Sequence, residues 1–149
     1  MIIRIQHEDF DIAALNRELL AGRSDVGAIA SFIGLVRDPG NDSLQQMTLE
    51  HYPGMTEKAL QGIAEKAQER WKIVDLAIIH RVGELKPADQ IVLVSVLSAH
   101  RADAFDACEF IMDYLKTDAP FWKKEVSGQG SKWVESRKSD IFAQKKWDN

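Results

Sequence analysis

The chain has 149 residues, 45% of them hydrophobic and 28% charged, which is enough for one domain with a sizeable core. A formal net charge of −4 argues against a nucleic-acid partner, and no apolar run approaches the length needed to cross a membrane. The charge is uneven: residues 1–115 hold 11 basic and 18 acidic groups, whereas residues 116–149 hold 8 basic and 5 acidic. A basic C-terminal segment on an acidic body points to a local anionic ligand.

The first residues, MIIRIQHEDF, carry no basic leader followed by an apolar stretch, so the expected compartment is the cytoplasm. Ile2 to Ile5 form a short strand. Asp11 suits the N-cap of a helix whose inner face is Ile12, Leu15 and Leu19, with Phe10 and Leu15 as a hydrophobic staple and Gly22 as the stop. Val26 to Val36 is apolar on both faces, which predicts a central strand ending at Arg37. Asp38 to Ser43 is dense in turn formers and is expected to be a mobile loop. A strand over Leu44 to Tyr52 follows, then a break at Pro53-Gly54. From Met55 to Trp71 the period is helical, with Leu60, Ile63, Ala64, Ala67 and Trp71 inward. Two strands, Ile73 to Val82 and Gln90 to Ala99, are joined by GELKPAD, and the second is apolar enough to be buried on both sides.

That strand delivers the chain to the most informative stretch, Ser95 to Glu125. Phe105, Cys108, Ile111, Met112 and Leu115 form one apolar face of a helix, followed by a proline break and a strand. His100 and Arg101 stand at the positive N-terminal end, where a cation is misplaced unless an anion answers it. A structural histidine is the plainer reading of His100 by itself. Lys116 suits a helix C-terminus on dipole grounds alone, but Lys123 and Lys124 follow it, with Trp122 as a neighbouring aromatic platform for a flat, phosphate-bearing ligand. Phe121 to Val126 and Lys132 to Glu135 flank a hairpin tip at 127–131, and Arg137 to Trp147 form a last short helix. The expected architecture is α+β with a mainly antiparallel sheet and packed helices.

Phosphate-loop, dinucleotide-loop, nucleophile-elbow and HExxH motifs are absent, and the histidines at 7, 51, 80 and 100 share no metal-ligand spacing. His51 and His80 lie inside strands and are read as structural. The single cysteine, Cys108, lies on the apolar helix face and is read as a small hydrophobe. What remains is a set of cations at element ends: Arg37, Arg101, Lys116, Lys123, Lys124 and Arg137. Such a set can hold phosphate, stabilise developing negative charge and move protons. On residues alone the inference ends at an anionic small-molecule site.

Five separated stretches extend it. FIGLVR (32–37), LEHYPGM (49–55), HRVGEL (80–85), SAHR (98–101) and MDYLKTDAPFWKKE (112–125) together resemble the large, catalytic subunit of molybdopterin synthase, over nearly the whole chain. The resemblance implies an α+β fold with an α/β-hammerhead element, in one domain over 1–149 whose segment 116–149 completes the active site. It implies transfer of two sulfurs to a cyclic pyranopterin monophosphate, with no cofactor and no metal. The sulfur would come from the thiocarboxylated C-terminal Gly-Gly of a small ubiquitin-like subunit, within a heterotetramer built on a homodimer of large subunits. By motif, Lys116 and Lys123 match the catalytic lysines. Leu35, Val36, Arg37, His100, Arg101, Lys124, Glu125 and Arg137 match substrate-binding positions.

Two other readings use the same cations: a non-catalytic protein that binds a pterin or nucleotide phosphate, and an adaptor whose basic tail docks an acidic partner. Arg101 and Lys116 are 15 residues apart, roughly 22 Å along one helix. One pterin cannot span that, so the expected site is shared between two copies, with His100, Arg101 and Arg37 of one facing Lys116 and Lys123 of the other.

Overall fold

In chain order the elements are β1 (Ile2–Gln6), α1 (Ile12–Leu20), β2 (Ala28–Leu35), β3 (Gln46–His51), α2 (Met55–Arg70) and β4 (Asp75–Arg81). They continue with β5 (Gly83–Leu85), β6 (Gln90–Ser98), α3 (Arg101–Asp118), β7 (Phe121–Ser127), β8 (Gly130–Val134) and α4 (Lys138–Lys145). The computed structural model describes residues 1–40, 44–127, 130–134 and 138–148, with the backbone alone at 130–134 and 138–140. Part of the loop expected over 38–43, the hairpin tip at 128–129 and Arg137 therefore lie outside the described residues.

Two four-stranded sheets carry the fold. The first runs β1-β4-β6-β2, antiparallel except for the parallel β1–β4 pair. The second runs β5-β3-β7-β8 and is antiparallel throughout. Alternation assigns the faces of the first sheet. Ile78, Val92, Val94 and Val96 meet Leu60, Ile63, Ala64 and Ala67 of α2 and Ala104, Phe110 and Ile111 of α3. Ala77, Ile79, Leu93 and Leu97 meet Leu15 and Leu19 of α1. With helices on both faces, β6 has no water-facing side, which is why its sequence is apolar without alternation. The second sheet buries Met47, Leu49 and Leu85 against Val36 and Leu44.

Capping follows the sequence closely at α1: Asp11 Oδ1 accepts from the backbone N–H groups of Ala13 and Ala14 at 2.9 and 3.2 Å. Gly27 allows the closest backbone approach in the first sheet. A Cβ there would stand 2.1 Å from the Ala99 carbonyl oxygen, so any side chain would push β2 away from the turn that leads into α3.

Four expectations are corrected. The apolar run at 26–36 is an edge strand, not a central one: among the described residues β2 pairs only with β6, and Ile29, Phe32 and Leu35 are 38%, 42% and 53% exposed. Phe105 does not join the inner face of α3 but is 65% exposed. Ala104, Ala107 and Phe110 take the buried positions instead, the two alanines letting the helix sit close on the sheet and Phe110 filling the space beyond them. GELKPAD is not a plain connection, since its Gly83–Leu85 pairs with β3 and moves the chain to the second sheet. Lys123 and Lys124 lie within β7 rather than at an element end.

Candidate functional site

Strand register decides which cations meet. In the β2–β6 pairing, Ala28 stands opposite Ser98 and Leu35 opposite Gln90. His100 and Arg101 therefore lie at the Ala28 end, and Arg37 lies at the other. Val36, just before Arg37, is pinned there by backbone bonds with Asp89 and Ala88 at 2.9 and 2.8 Å. Helix α3 is continuous and runs back along the sheet, with Cys108 over the Val94 carbonyl, so its last turn and Lys116 arrive at the Arg37 end. His80, opposite Val92, is at that end too, on the face that α3 covers.

The chain then turns at Ala119-Pro120 into β7. Phe121 stacks on His80 with ring centroids 3.8 Å apart and planes 17° apart. Lys123 shares Phe121's face of the strand. It stands opposite Leu49, and Glu125 stands opposite Met47, on the face turned toward Val36. Lys124 and Trp122 point to the reverse face, where the Trp122 ring meets Tyr52 at 5.0 Å and its Nε1 donates to Glu50 at 3.1 Å. The aromatic platform of the sequence reading is therefore on the side away from Lys123.

One protomer thus has Arg37 and Lys116 toward the same end of the first sheet, with Lys123 and Glu125 on the face of β7 that presents Phe121 to His80. It does not bring His100 and Arg101 to them: α3 separates Arg101 from Lys116 by roughly 22 Å. Arg37 belongs with Lys116 rather than with His100 and Arg101, contrary to expectation. Leu35 is exposed and Val36 is buried in the second core. No group of histidine, cysteine and carboxylates among the described residues could hold a metal ion.

Two residues set aside as structural or unremarked stand at this corner. His80 is buried, and burial holds its pKa down to about 4, partly offset by the hydrogen bond to Arg81 and aided by the charges of Lys116 and His51. Thr56, fully buried, donates to the Pro120 carbonyl at 2.9 Å and accepts from the Tyr52 N–H at 2.9 Å. Their signal in the sequence was parity: His80 is two residues past the inward Ile78, and so faces α3.

A stability prediction follows. An unfolded histidine titrates near 6.5, so between pH 6.5 and 4 the unfolded chain takes up a proton that buried His80 refuses. Stability is full above that window and falls as pH drops through it, by about 1.4 kcal/mol for each unit of pKa difference. Denaturant midpoints at pH 7 and pH 5 should differ more for the native chain than for His80→Phe. Equal differences would remove His80 as the cause.

Cys108 is buried, and burial, with the Glu109 charge, pushes its pKa up to about 12, so its thiol is a poor nucleophile. Cys108→Ala is expected to keep its activity with a stability loss of about 1 kcal/mol. A folded Cys108→Ala protein without activity would show that the thiol takes part in the chemistry.

Comparison with known proteins bears on the same elements. The family model described as MoaE protein matches residues 5–118, from β1 to the end of α3. A "Molybdopterin synthase catalytic subunit" of Ralstonia nicotianae is 58% identical over 146 residues, covering 97% of this chain and 83% of that protein. The protein of the same name from Escherichia coli strain K12 is 55% identical over 129 residues, 86% of each. Among solved structures, a molybdopterin biosynthesis MoaE protein from Burkholderia ambifaria superposes with a TM-score of 0.86 at 53% identity, covering 99% of this chain and 98% of that one. A molybdopterin synthase from Staphylococcus aureus does so with a TM-score of 0.79 at 35% identity, covering 87% of this chain and 94% of that one. With a family model spanning most of its length and relatives above half identity along nearly all of it, this chain belongs to the MoaE family.

Proposed function

We propose that this chain is the catalytic subunit of a molybdopterin synthase, a sulfurtransferase that makes a dithiolene on a cyclic pyranopterin monophosphate. The observation that carries the reading is a contrast within the site. The only cysteine is buried on α3 with its pKa pushed up to about 12, whereas strand register and the course of α3 put Arg37 and Lys116 toward one end of the first sheet, with Lys123 two residues past the Phe121 that stacks on His80 there. A sulfur-transfer enzyme without a reactive thiol must take its sulfur from a partner, and cations are what it then needs. The partner is a small ubiquitin-like subunit with a thiocarboxylated Gly-Gly terminus.

In each transfer the thiocarboxylate sulfur forms a bond to a side-chain carbon of the substrate. A carbon–oxygen bond breaks, and the departing oxygen takes a proton from a lysine ammonium. Water then cleaves the acyl–sulfur bond, leaving sulfur on the substrate and a carboxylate on the tail. Lys116 and Lys123 supply charge and proton, and Arg37 holds phosphate. His100 and Arg101 act from a second copy. The open edge of β2 with its exposed Ile29, Phe32 and Leu35, and a cleft of about 550 Å³ between Phe32 and Phe105, offer the apolar surface for that pairing. Two β2 edges meeting about a two-fold axis run antiparallel. Such a pairing lays the Arg37 end of one copy beside the His100 end of the other.

Purified chain, a thiocarboxylated small subunit and the pyranopterin monophosphate should together yield molybdopterin. Binding of the pterin without any product would leave a non-catalytic pterin-binding protein, and no binding at all would leave an adaptor.

A further inference from the structure

Lys116 belongs to the last turn of α3 and Lys123 to β7, and the chain turns from helix to strand between them. Their relative placement is set at one corner, Ala119-Pro120. The helix ends there without a left-handed residue to close it: Ala119, at φ −81° and ψ 129°, leads straight out of the last turn. A local bond spans the corner, from the Phe121 N–H to the Ala119 carbonyl at 2.8 Å. Further hold comes from distant parts of the chain. His80 stacks on the Phe121 ring at 3.8 Å, and Thr56 reaches the backbone itself.

Thr56 is fully buried in the first turn of α2. Its hydroxyl donates to the Pro120 carbonyl at 2.9 Å and accepts from the Tyr52 N–H at 2.9 Å. The Thr56 N–H in turn donates to the Tyr52 carbonyl at 2.9 Å. The residue is thus fastened to the chain just past β3 on one side and to the corner on the other. Strand β3 is also the one that carries β7, with His51 opposite Phe121 and Leu49 opposite Lys123. The corner is therefore tied to the same strand that sets the register of Lys123. Branching at Cβ leaves Thr56 few χ1 choices, so the hydroxyl is a stiff link. Valine has the same shape and would fill the space as well, but it would leave the Pro120 carbonyl and the Tyr52 N–H without this partner.

We propose that Thr56 is a positioning residue: its buried hydroxyl, bonded to Tyr52 and Pro120, fixes the corner that sets Lys123 relative to Lys116. The inference rests on the sulfurtransferase reading for its functional meaning, whereas the hold on the corner can be measured without turnover.

Thr56→Val keeps the side-chain shape and removes the hydroxyl. In the reconstituted synthase, at a temperature where circular dichroism shows the variant folded, kcat should fall about tenfold or more with KM for the pterin unchanged. Thr56→Ser keeps the hydroxyl and should recover most of the loss, although it is the smaller side chain. A Thr56 that only fills space predicts the opposite order, with valine the better substitute. Adding Thr56→Val to Lys123→Ala should slow that variant no further, because relative placement no longer matters once one lysine is gone. Independently of activity, ¹⁵N relaxation dispersion should show new millisecond exchange at the amides of Phe121 to Lys123 in Thr56→Val and none in Thr56→Ser. Thr56→Ala takes the place of Thr56→Val in every comparison if the valine variant does not fold. A folded variant without the hydroxyl at the native kcat, valine faster than serine, losses that multiply in the double variant, or a corner equally quiet with and without the hydroxyl would each overturn the assignment. If the native protein makes no molybdopterin, the sulfurtransferase reading fails, and the amide exchange alone decides whether Thr56 holds the corner.

Discussion

Lys116→Ala is expected to lower turnover by at least about 100-fold while leaving the unfolding midpoint close to that of the native chain. Lys116 is exposed in the last turn of α3, so truncation removes no packed surface. The loss should appear in the chemical step, because an ammonium that answers charge developing at a departing oxygen matters most in the transition state. Arg101→Ala should be inactive for a different reason, having lost an anion-binding group at the far end of the same helix. Mixed under subunit exchange, the two inactive proteins form hybrids. One of the two pockets in each hybrid then holds both an intact Arg101 and an intact Lys116, so activity should partly return. Exchange demonstrated by mass without any recovered activity would sink the shared pocket, and near-native turnover in Lys116→Ala would take that residue out of the mechanism.

The largest stability effect is expected at Phe110, far from the cations. Its ring is fully buried and meets Trp71 edge-on at 5.2 Å, Trp147 edge-on at 5.6 Å and Tyr114 at 4.5 Å, with the Arg70 guanidinium over its face at 5.2 Å. Phe110→Ala removes the centre of that cluster and should cost roughly 3–5 kcal/mol. The cluster also docks the C-terminal residues. Arg70 donates to the Trp147 carbonyl at 2.9 Å, Trp147 Nε1 donates to Asp113 at 2.6 Å, and Lys146 pairs with Glu109. The variant should therefore loosen α4 along with the core. A denaturant midpoint lowered by less than the equivalent of about 1 kcal/mol, at unchanged slope, would mean that the neighbours close over the cavity.

The sequence and the structure agree where a pattern has one physical cause. Asp11 caps α1 as its position suggests, and the unbroken apolar run of β6 is buried on both faces. The run at 26–36 looks the same but belongs to an edge strand. Composition records that a strand is to be covered and not whether its own helices or another molecule will cover it. Phe105 misled for a related reason, since the largest apolar residue on a helix draws the eye to a stripe that Ala104 and Ala107 define. The cationic ends of α3 were legible because helix position is local. That Arg37 joins Lys116, and that Lys124 turns away from Lys123, followed only from strand register, which is set by pairings between distant parts of the chain. His80 and Thr56 escaped notice for the same reason. Each acts on the α3–β7 corner across dozens of intervening residues.

A newly made chain emerges with β2 bare along one side. Its sequence, AIASFIGL, contains no charged residue and no proline, the usual devices that keep such edges from recruiting strangers, and only a register shift between Gly34 and Leu35 interrupts it. If two copies pair along β2 as proposed, solubility of the lone protomer is a race in which the mate must reach the edge before an unrelated strand does. Yield from heterologous expression should depend on how quickly protomers meet, and dilution during refolding, which rescues many proteins from precipitation, should help this one less.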